Sequence, residues 1–314
     1  MSEIAPVSLL VTGATGMQGG GVARAARQAG IDVTALVRNP DSAPARALAA
    51  DGIRLAVGDL EDPASLLAAC TGRSTVFSVQ LPPTRDPDSE RRQGANLVEA
   101  ASKAGVRHLV HTSVSGTGWR TEHAHIDPGA MTNYWQSKED VEDAVRAAGL
   151  TYTIVKPAFF LENFIDPKAP HMFPLLSSGE LVVATAPDTR VALMGAEEFG
   201  AIVVTIARNP ERFAGAEIEL GSDAVTFSEM ADIISTVTGR RITASHLPAT
   251  EVDHRLGRAS WTATQVWLDE VGYPARPEHA AAHGLDATTT ARQWAERHCD
   301  QLLAATEPRE RSVG

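Results

Sequence analysis

A glycine-rich turn between the first candidate strand and the first candidate helix limits the fold more than any other segment. The strand covers residues 7–11, and glycine occupies positions 13, 16 and 19 of the turn that follows. Glycines at this point let the backbone approach a pyrophosphate, which then lies at the helix N-terminus. A flexible surface turn is the alternative interpretation. The turn predicts dinucleotide binding, with contacts from Gly13, Thr15, Gly16, Met17, Gln18 and Gly19.

Short β-branched runs alternate with alanine-rich runs through the first half of the chain. The predicted strands are residues 7–11, 32–37, 54–57, 74–79, 107–112 and 151–155. The predicted helices between them are residues 44–50, 63–70, 90–104 and 133–148, together with one that follows the glycine turn. This alternation is typical of βαβ units with a parallel sheet. The predicted fold is therefore α/β, a doubly wound Rossmann sheet formed by residues 1–156.

The regular alternation ends after Pro157, where proline and glycine become frequent. Helices are predicted at residues 197–207, 228–238 and within 276–305, and a strand at 216–220. We expect residues 157–305 to form a smaller C-terminal α/β lobe on the substrate side. Residues 306–314 are charged and are predicted to be a disordered tail.

Composition excludes several classes of protein. The chain has 28 Lys and Arg against 39 Asp and Glu, a net charge of −11, so a nucleic-acid partner is not expected. Cys70 and Cys299 are too few for a disulfide framework, and neither they nor His123 and His125 suggest a metal site. The apolar runs near the start are too short for a membrane span or a signal peptide. We expect a cytoplasmic protein without a membrane partner, and the sequence leaves its oligomeric state open.

The end of the second predicted strand distinguishes two nucleotide cofactors. An NAD site usually has Asp or Glu there for the ribose 2′-hydroxyl, whereas arginine suits a 2′-phosphate. This chain has Arg38 at that point, and a guanidinium can hold a phosphate with two hydrogen bonds. A solvated surface arginine is the alternative. Arg38 therefore favours NADP(H).

Several motifs together resemble the NmrA-like family of atypical short-chain dehydrogenases/reductases. The resemblance lies in residues 13–20, 37–40, 57–60, 149–157 and 226–231, with Phe160 and Asn163. It implies that Asp59 and Leu60 flank the adenine and that Gln80 lies beside the cofactor. It also implies that Phe160 to Asn163 approach the nicotinamide, and that residues 197–221 pack back on the first domain.

Tyr134 and Lys138 form a Tyr-x-x-x-Lys pair on a predicted helix between the fifth and sixth strands. The spacing of four puts both side chains on one face, where the ammonium would lower the tyrosine pKa. Such a tyrosine suits acid–base catalysis at a carbonyl oxygen. The wider superfamily implies that Lys138 also binds the nicotinamide ribose. An ordinary structural helix pair is the alternative.

The wider superfamily also holds the substrate oxygen with a serine or threonine after the fifth strand. Ser113 is the first choice here and Ser115 the alternate, since alternation puts both on one face. Capping of the strand end is the other interpretation. Phe159, Phe160 and Trp119 would form an apolar wall for a hydrophobic or aromatic substrate, although each alone is typical of ordinary core.

Two classes of function remain after these observations. The first is an NADPH-dependent reductase of a carbonyl, quinone or related electrophile, with Tyr134 as acid, Lys138 tuning it and Ser113 orienting the oxygen. The second is a redox sensor that binds NADP(H) without turnover. The resemblance implies that such sensors usually lack the tyrosine, so Tyr134 favours the enzyme. An epimerase or dehydratase activity on the same fold is a further alternative.

Overall fold

The computed structural model describes residues 7–83, 85–257 and 259–308. Twelve strands lie in these ranges: β1 Ser8–Val11, β2 Asp32–Val37, β3 Arg54–Val57, β4 Thr75–Ser78, β5 His108–Thr112, β6 Thr151–Pro157, β7 Phe159–Phe160, β8 Glu180–Val183, β9 Val191–Met194, β10 Ala216–Leu220, β11 Asp223–Val225 and β12 Thr243–His246. The predicted strands of the first half are all present, within one or two residues of their expected ends.

The same ranges contain thirteen α-helices. They are α1 Met17–Gln28, α2 Ala43–Ala50, α3 Pro63–Cys70, α4 Ser89–Lys103, α5 Thr132–Ala147, α6 Ala169–Met172, α7 Ala196–Arg208, α8 Phe227–Thr238, α9 Ala249–Leu256, α10 Ala259–Glu270, α11 Pro277–Ala282, α12 Ala291–Arg297 and α13 Cys299–Ala305. Local chemistry explains where several of them begin. Asp62 accepts a hydrogen bond from the Ala64 amide at 3.0 Å just before α3, and Pro63 occupies the first helical position.

Seven strands form one parallel sheet in the order β10-β6-β5-β4-β1-β2-β3. The chain runs outward from β1 through β2 to β3, then returns to the other side of β1 at β4. In sheets of this kind, ligands bind where the strand order reverses, at the carboxyl ends of the strands. This topology confirms the predicted doubly wound α/β fold and places the glycine turn at the reversal point.

The seventh strand of the sheet comes from the second half of the chain. Strand β10 pairs with β6 over residues 216–220, and α7 lies against α1. A side-chain carbon on Gly21 would collide with the backbone oxygen of Ala196, so these two helices approach closely only because that position is glycine. Residues 196–220 thus lie with the main sheet. The division of the chain at residues 156 and 157 stays a prediction.

The remaining strands form two small sheets, β7-β9-β11 and β8-β12. These sheets and the C-terminal helices pack around a second hydrophobic core. Thr306 is buried after α13, while residues 309–314 of the predicted tail lie outside the described residues. No helix in the described ranges is long and apolar enough to cross a membrane. Cytoplasmic location stays a prediction.

Candidate functional site

The turn after β1 is held in a conformation that only glycine accommodates. Gly13 has a φ of +58°, and a side-chain carbon there would lie 2.6 Å from Val79 Cγ1. A side-chain carbon on Gly19 would lie 2.5 Å from backbone atoms of Gly13 and Thr12, so α1 begins directly against the turn. Thr12 fixes this arrangement, because its hydroxyl donates to the Phe77 carbonyl and accepts the Val79 amide at 2.9 Å.

The N-terminus of α1 has no side-chain cap. Gly16 is the N-cap residue, and Gly13, Thr15 and Gly16 are exposed, while Met17 and Gln18 are partly buried. Free amide groups at a helix N-terminus bind anions, and the helix dipole favours negative charge there. Gln18 also connects α1 to the end of β5, since its Oε1 accepts from the Thr112 hydroxyl at 2.9 Å. The turn therefore has the shape and the free donors that a pyrophosphate requires.

Arg38 lies exposed just after β2 and has no hydrogen bond or ion pair with any described residue. Asp59, in contrast, is engaged locally, because its Oδ1 accepts the Glu61 amide at 3.0 Å. Leu60 is partly buried against the core between the sheet and α3 and α4. The guanidinium is therefore available to a ligand phosphate, and the residues predicted beside the adenine line the same edge of the sheet.

Gln80 follows β4 at the reversal point and is almost fully buried. Its Nε2 donates to Ser78 Oγ at 3.0 Å, whereas its Oε1 is buried and has no hydrogen-bond partner among the described residues. Ser78 Oγ also bonds His111 Nδ1 at 3.1 Å, and burial lowers the pKa of His111 to about 3, so this imidazole is neutral. A buried amide oxygen without a partner is costly. The unpartnered oxygen of Gln80 and the glycine turn lie at the same edge of the sheet, and together they suit the binding of a dinucleotide.

The two candidate serines after β5 differ in what they bind. Ser113 Oγ is buried and has no hydrogen-bond partner among the described residues. Ser115 Oγ accepts the Ala275 amide at 3.2 Å and also bonds the carboxyl group of Glu219. Ser115 is thus occupied in joining three segments, whereas the hydroxyl of Ser113 is available to a substrate.

Lys138 lies in a buried ion pair that the sequence did not predict. Its Nζ is 2.5 Å from Glu90 Oε1, and Ser137 Oγ donates to the other carboxylate oxygen at 2.5 Å. Glu90 is 2% exposed and Lys138 is 7% exposed. The opposite charges of such a buried pair largely cancel at neighbouring groups. The Lys138 ammonium therefore has little net electrostatic effect on the Tyr134 phenol.

The expected lowering of the Tyr134 pKa is wrong, because the pKa is raised. Burial, with contributions from Tyr273 and Glu90, raises the pKa of Tyr134 well above its ordinary value. The ammonium lies 5.8 Å from the centre of the tyrosine ring, over its face, while its charge is compensated by Glu90. Tyr134 consequently stays protonated at neutral pH, which suits a proton donor and excludes a resting phenolate.

The aromatic residues proposed as a substrate wall pack mainly in the core. Phe160 lies 5.5 Å from the ring of Phe199, and Phe159 lies 5.9 Å from Phe164. Trp119 contacts two other tryptophans. Asn163 is partly buried in the short turn after β7 and forms no hydrogen bond with the described residues. Their roles toward a ligand stay predictions.

Sequence reasoning missed two buried acids at this edge of the sheet, Glu90 and Glu162. Glu162 Oε1 accepts the Ala196 amide at 2.9 Å and the Trp294 indole N–H at 3.2 Å, and burial raises its pKa. This carboxyl group ties the segment after β7 to α7 and α12. Glu90 lies in a charged run that looks solvated, and only its tertiary contacts reveal it. Glu162 lies in the apolar run of residues 159–165, where a lone acid is a signal that the sequence analysis did not use. No group of three potential ligands placed to hold a metal ion exists among the described residues.

Comparisons with known proteins agree with this geometry. The NmrA-like family model matches residues 7–293. An NAD(P)H azoreductase of Xenophilus azovorans is 30% identical over 234 residues, which cover 74% of this chain and 75% of the relative.

Two solved structures share the fold. The Citrobacter sp. triphenylmethane reductase complexed with NADP(H) is 23% identical, with a TM-score of 0.74, over 93% of this chain and 99% of that one. NmrA, a negative transcriptional regulator solved with NADP, is 22% identical, with a TM-score of 0.67, over 96% and 95% of the two chains. The sheet order, the glycine turn and the family match over residues 7–293 lead to one conclusion: the chain belongs to the NmrA-like family.

Proposed function

We propose that this protein is an NADP(H)-dependent reductase of a small electrophile, such as a carbonyl compound or a quinone, with an apolar or aromatic body. One observation carries the proposal. Ser113 has a buried hydroxyl and Tyr134 has a protonated phenol, and neither has a hydrogen-bond partner among the described residues. An oxygen-binding hydroxyl and a proton donor without other partners are what carbonyl reduction requires. The azoreductase relative supports the same class of reaction.

The residues that would hold the cofactor lie along the reversal point of the sheet. Gly13, Gly16 and Gly19 admit the pyrophosphate to the α1 N-terminus, Arg38 binds the 2′-phosphate, and Gln80 offers its free amide oxygen. The reduced nicotinamide, when bound, supplies a hydride. Arginine at the position of the usual acidic residue supports NADP(H) over NAD(H).

The protein's own groups handle the substrate oxygen and the proton. The Ser113 hydroxyl holds the oxygen, and the Tyr134 phenol donates its proton to that oxygen as the carbon gains the hydride. Because the pKa of Tyr134 is raised, nearly every molecule carries this proton at neutral pH. Lys138 and Glu90 form a compensated pair beside the ring, and they position Tyr134 without ionising it.

The experiment is NADPH oxidation by the purified protein with aldehydes, ketones and quinones, with Tyr134→Phe measured in parallel. We expect turnover on at least one compound, strongly reduced in the variant. The matched control is Tyr152→Phe, since Tyr152 lies at the amino end of β6, away from the glycine turn. Turnover that is equal in all three proteins would remove Tyr134 from the mechanism.

A second function has an observation in its favour. The Glu90 partner cancels the charge with which Lys138 would activate Tyr134, and a protein that only senses NADP(H) needs no activated tyrosine. The fold shared with the NmrA regulator is compatible with this alternative. Tight NADPH binding by calorimetry, with no oxidation on any compound of the panel, would favour the sensor over the reductase.

A further inference from the structure

Five aromatic side chains from three separate segments form one cluster beside the proposed site. The ring centroids are 5.2 Å apart for Tyr134 and Trp135, 4.6 Å for Trp135 and Trp267, and 5.2 Å for Trp267 and Tyr273. Trp119 contacts both other tryptophans at 6.1 and 6.2 Å. The three indoles are buried, whereas the two tyrosines, at the ends of this series, are only partly buried. We call these five residues the aromatic cluster.

The turn that carries Ser113 packs directly on the aromatic cluster. Gly116 has a φ of +87°, and a side-chain carbon there would lie 3.1 Å from Trp267 and 3.4 Å from Pro274. The Ala275 amide donates to Ser115 Oγ at 3.2 Å, and the Gly116 amide donates to Glu219 Oε1 at 3.2 Å. These contacts fix Tyr273, which lies between Trp267 and Ala275, against the turn that presents Ser113.

Both phenols of the cluster are free. Neither Tyr134 nor Tyr273 has a hydrogen-bond partner for its hydroxyl within residues 7–83, 85–257 and 259–308. The two are close enough that Tyr273 contributes to the raised pKa of Tyr134, along with Glu90, whose charge is paired with Lys138. Burial raises the pKa of Tyr273 as well, so both phenols are donors at neutral pH. Two phenol donors without an acceptor in the described part of the chain, linked through the ring contacts of the aromatic cluster, can bond a ligand that has more than one acceptor.

We propose that Tyr273 is a substrate-contacting residue that donates a hydrogen bond to a second acceptor of the substrate. The inference rests on the proposed reductase function, in which Ser113 and Tyr134 hold the reacting oxygen. It assigns the substrate to a chemical class: a conjugated or aromatic molecule with two acceptor groups, of which only one is reduced at Tyr134. The partly exposed rings of Tyr134 and Tyr273 provide apolar surface for its body, and the buried tryptophans hold those rings in place.

The test compares a substrate that has two acceptors with one that has a single acceptor. Naphthoquinone and naphthaldehyde share a ring system and differ in this respect. The variants are Tyr273→Phe, Tyr134→Phe and Tyr152→Phe, so each of the three tyrosines of the chain loses only its hydroxyl. Phenylalanine keeps the ring packing on Trp267, and unchanged thermal unfolding will show that Tyr273→Phe is folded.

We expect Tyr273→Phe to lower kcat/KM for naphthoquinone by about tenfold, mainly through KM, and to leave naphthaldehyde unchanged. Tyr134→Phe should lower kcat for naphthaldehyde, and Tyr152→Phe should change neither substrate. Equal losses on both compounds with Tyr273→Phe, or no loss on either, would overturn the assignment of Tyr273 while the reductase stands. Wild-type protein that binds NADPH and reduces no compound would overturn both proposals together.

Discussion

The cofactor cradle and the substrate side of this protein are built in different ways. The cradle comes from consecutive residues, 13–19, and its geometry depends on backbone atoms that approach within van der Waals distance. The substrate side is assembled from side chains that are far apart in sequence, from Ser113 and Trp119 through Tyr134 to Trp267 and Tyr273. The cradle depends on glycine positions that lack a side chain, whereas the substrate side depends on which side chains contact each other.

This difference has a chemical consequence. A pyrophosphate is the same in every dinucleotide, so a binding site made of backbone amides can serve it without any particular side chain. Substrates vary, and side chains brought from several loops can be exchanged without disturbing the sheet. Substitutions in the cradle should therefore lower the reduction rates of all substrates alike. Those on the substrate side should lower the rate for one substrate more than for another.

The largest combined effect on stability and cofactor binding is expected in the cradle. In Gly19→Ala the new methyl group would lie 2.5 Å from backbone atoms of Gly13 and Thr12, which cannot yield as a flexible side chain would. We expect destabilisation of about 3 kcal/mol and a loss of NADPH affinity of about a hundredfold, because the turn must move by on the order of 1 Å. Calorimetric titration and thermal unfolding measure both.

The matched control is Gly30→Ala, at another glycine next to α1. Gly30 has a φ of +72°, but a side-chain carbon there would meet open space. We expect a cost of about 1 kcal/mol from the left-handed backbone and unchanged NADPH affinity. Similar affinity losses in both variants would show that the cradle fails by general unfolding and not by the local collision.

The next prediction concerns the proton donor on the substrate side. Tyr134→Phe should lower kcat for an aldehyde or ketone by about 10² to 10⁴, the usual contribution of a positioned acid. A cationic acceptor such as an N-alkylacridinium takes up hydride at carbon and needs no proton, so its rate should change little. Steady-state rates with the two kinds of acceptor separate proton transfer from hydride transfer. Equal losses on both would mean that Tyr134 orients the substrate or the cofactor.

Much of the fold could be predicted because its signals are local. The strand β2 lies at residues 32–37, as its β-branched run predicts, and α3 begins at Pro63 behind the Asp62 cap. Each of these depends on residues within one turn or one strand. Strand β10 is different, because no local pattern shows that it pairs with β6; the family resemblance implied only that its segment returns to the first domain.

The electrostatics of the candidate site could not be predicted in the same way. The Tyr-x-x-x-Lys spacing correctly puts Lys138 beside the Tyr134 ring, but the pKa is raised first by burial and then by Tyr273 and Glu90. Glu90, which pairs with Lys138, lies 48 residues before it on α4. Glu90 lies in a charged run that is typical of a solvated helix face. Burial of the phenol, and of the ion pair beside it, is a tertiary event, and it reverses the conclusion drawn from the motif.

A smaller effect is expected at the adenine end of the proposed cofactor site, outside the cradle. Arg38→Ala should weaken NADPH binding by about ten- to a hundredfold, the range for one charge-assisted contact, and leave NADH binding nearly unchanged. The control is Arg46→Ala, which removes an exposed charge from the neighbouring helix α2. Parallel titrations of both variants with NADPH and NADH measure the two affinities. Equal weakening of NADPH and NADH binding would contradict a 2′-phosphate contact.

The smallest effect on the reduction rate at neutral pH is expected for the ion pair beside Tyr134. Reduction needs the protonated phenol, and the pKa of Tyr134 is raised, so the wild-type rate should stay level from neutral into alkaline pH and fall only near that pKa. Glu90→Gln removes the negative charge and leaves the Lys138 ammonium without its partner. The pKa of Tyr134 should then fall, and the alkaline decline should begin at lower pH.

Glu90→Gln also breaks a buried pair, at a cost of about 3 to 5 kcal/mol, so the profile is measured at a temperature where circular dichroism shows the variant folded. Ser137→Ala is the control, because it removes one hydrogen bond to Glu90 and keeps the charge. Its profile should match the wild type. An alkaline decline that does not move in Glu90→Gln would show that burial alone holds the proton on Tyr134, and the ion pair would then serve only to position the ring.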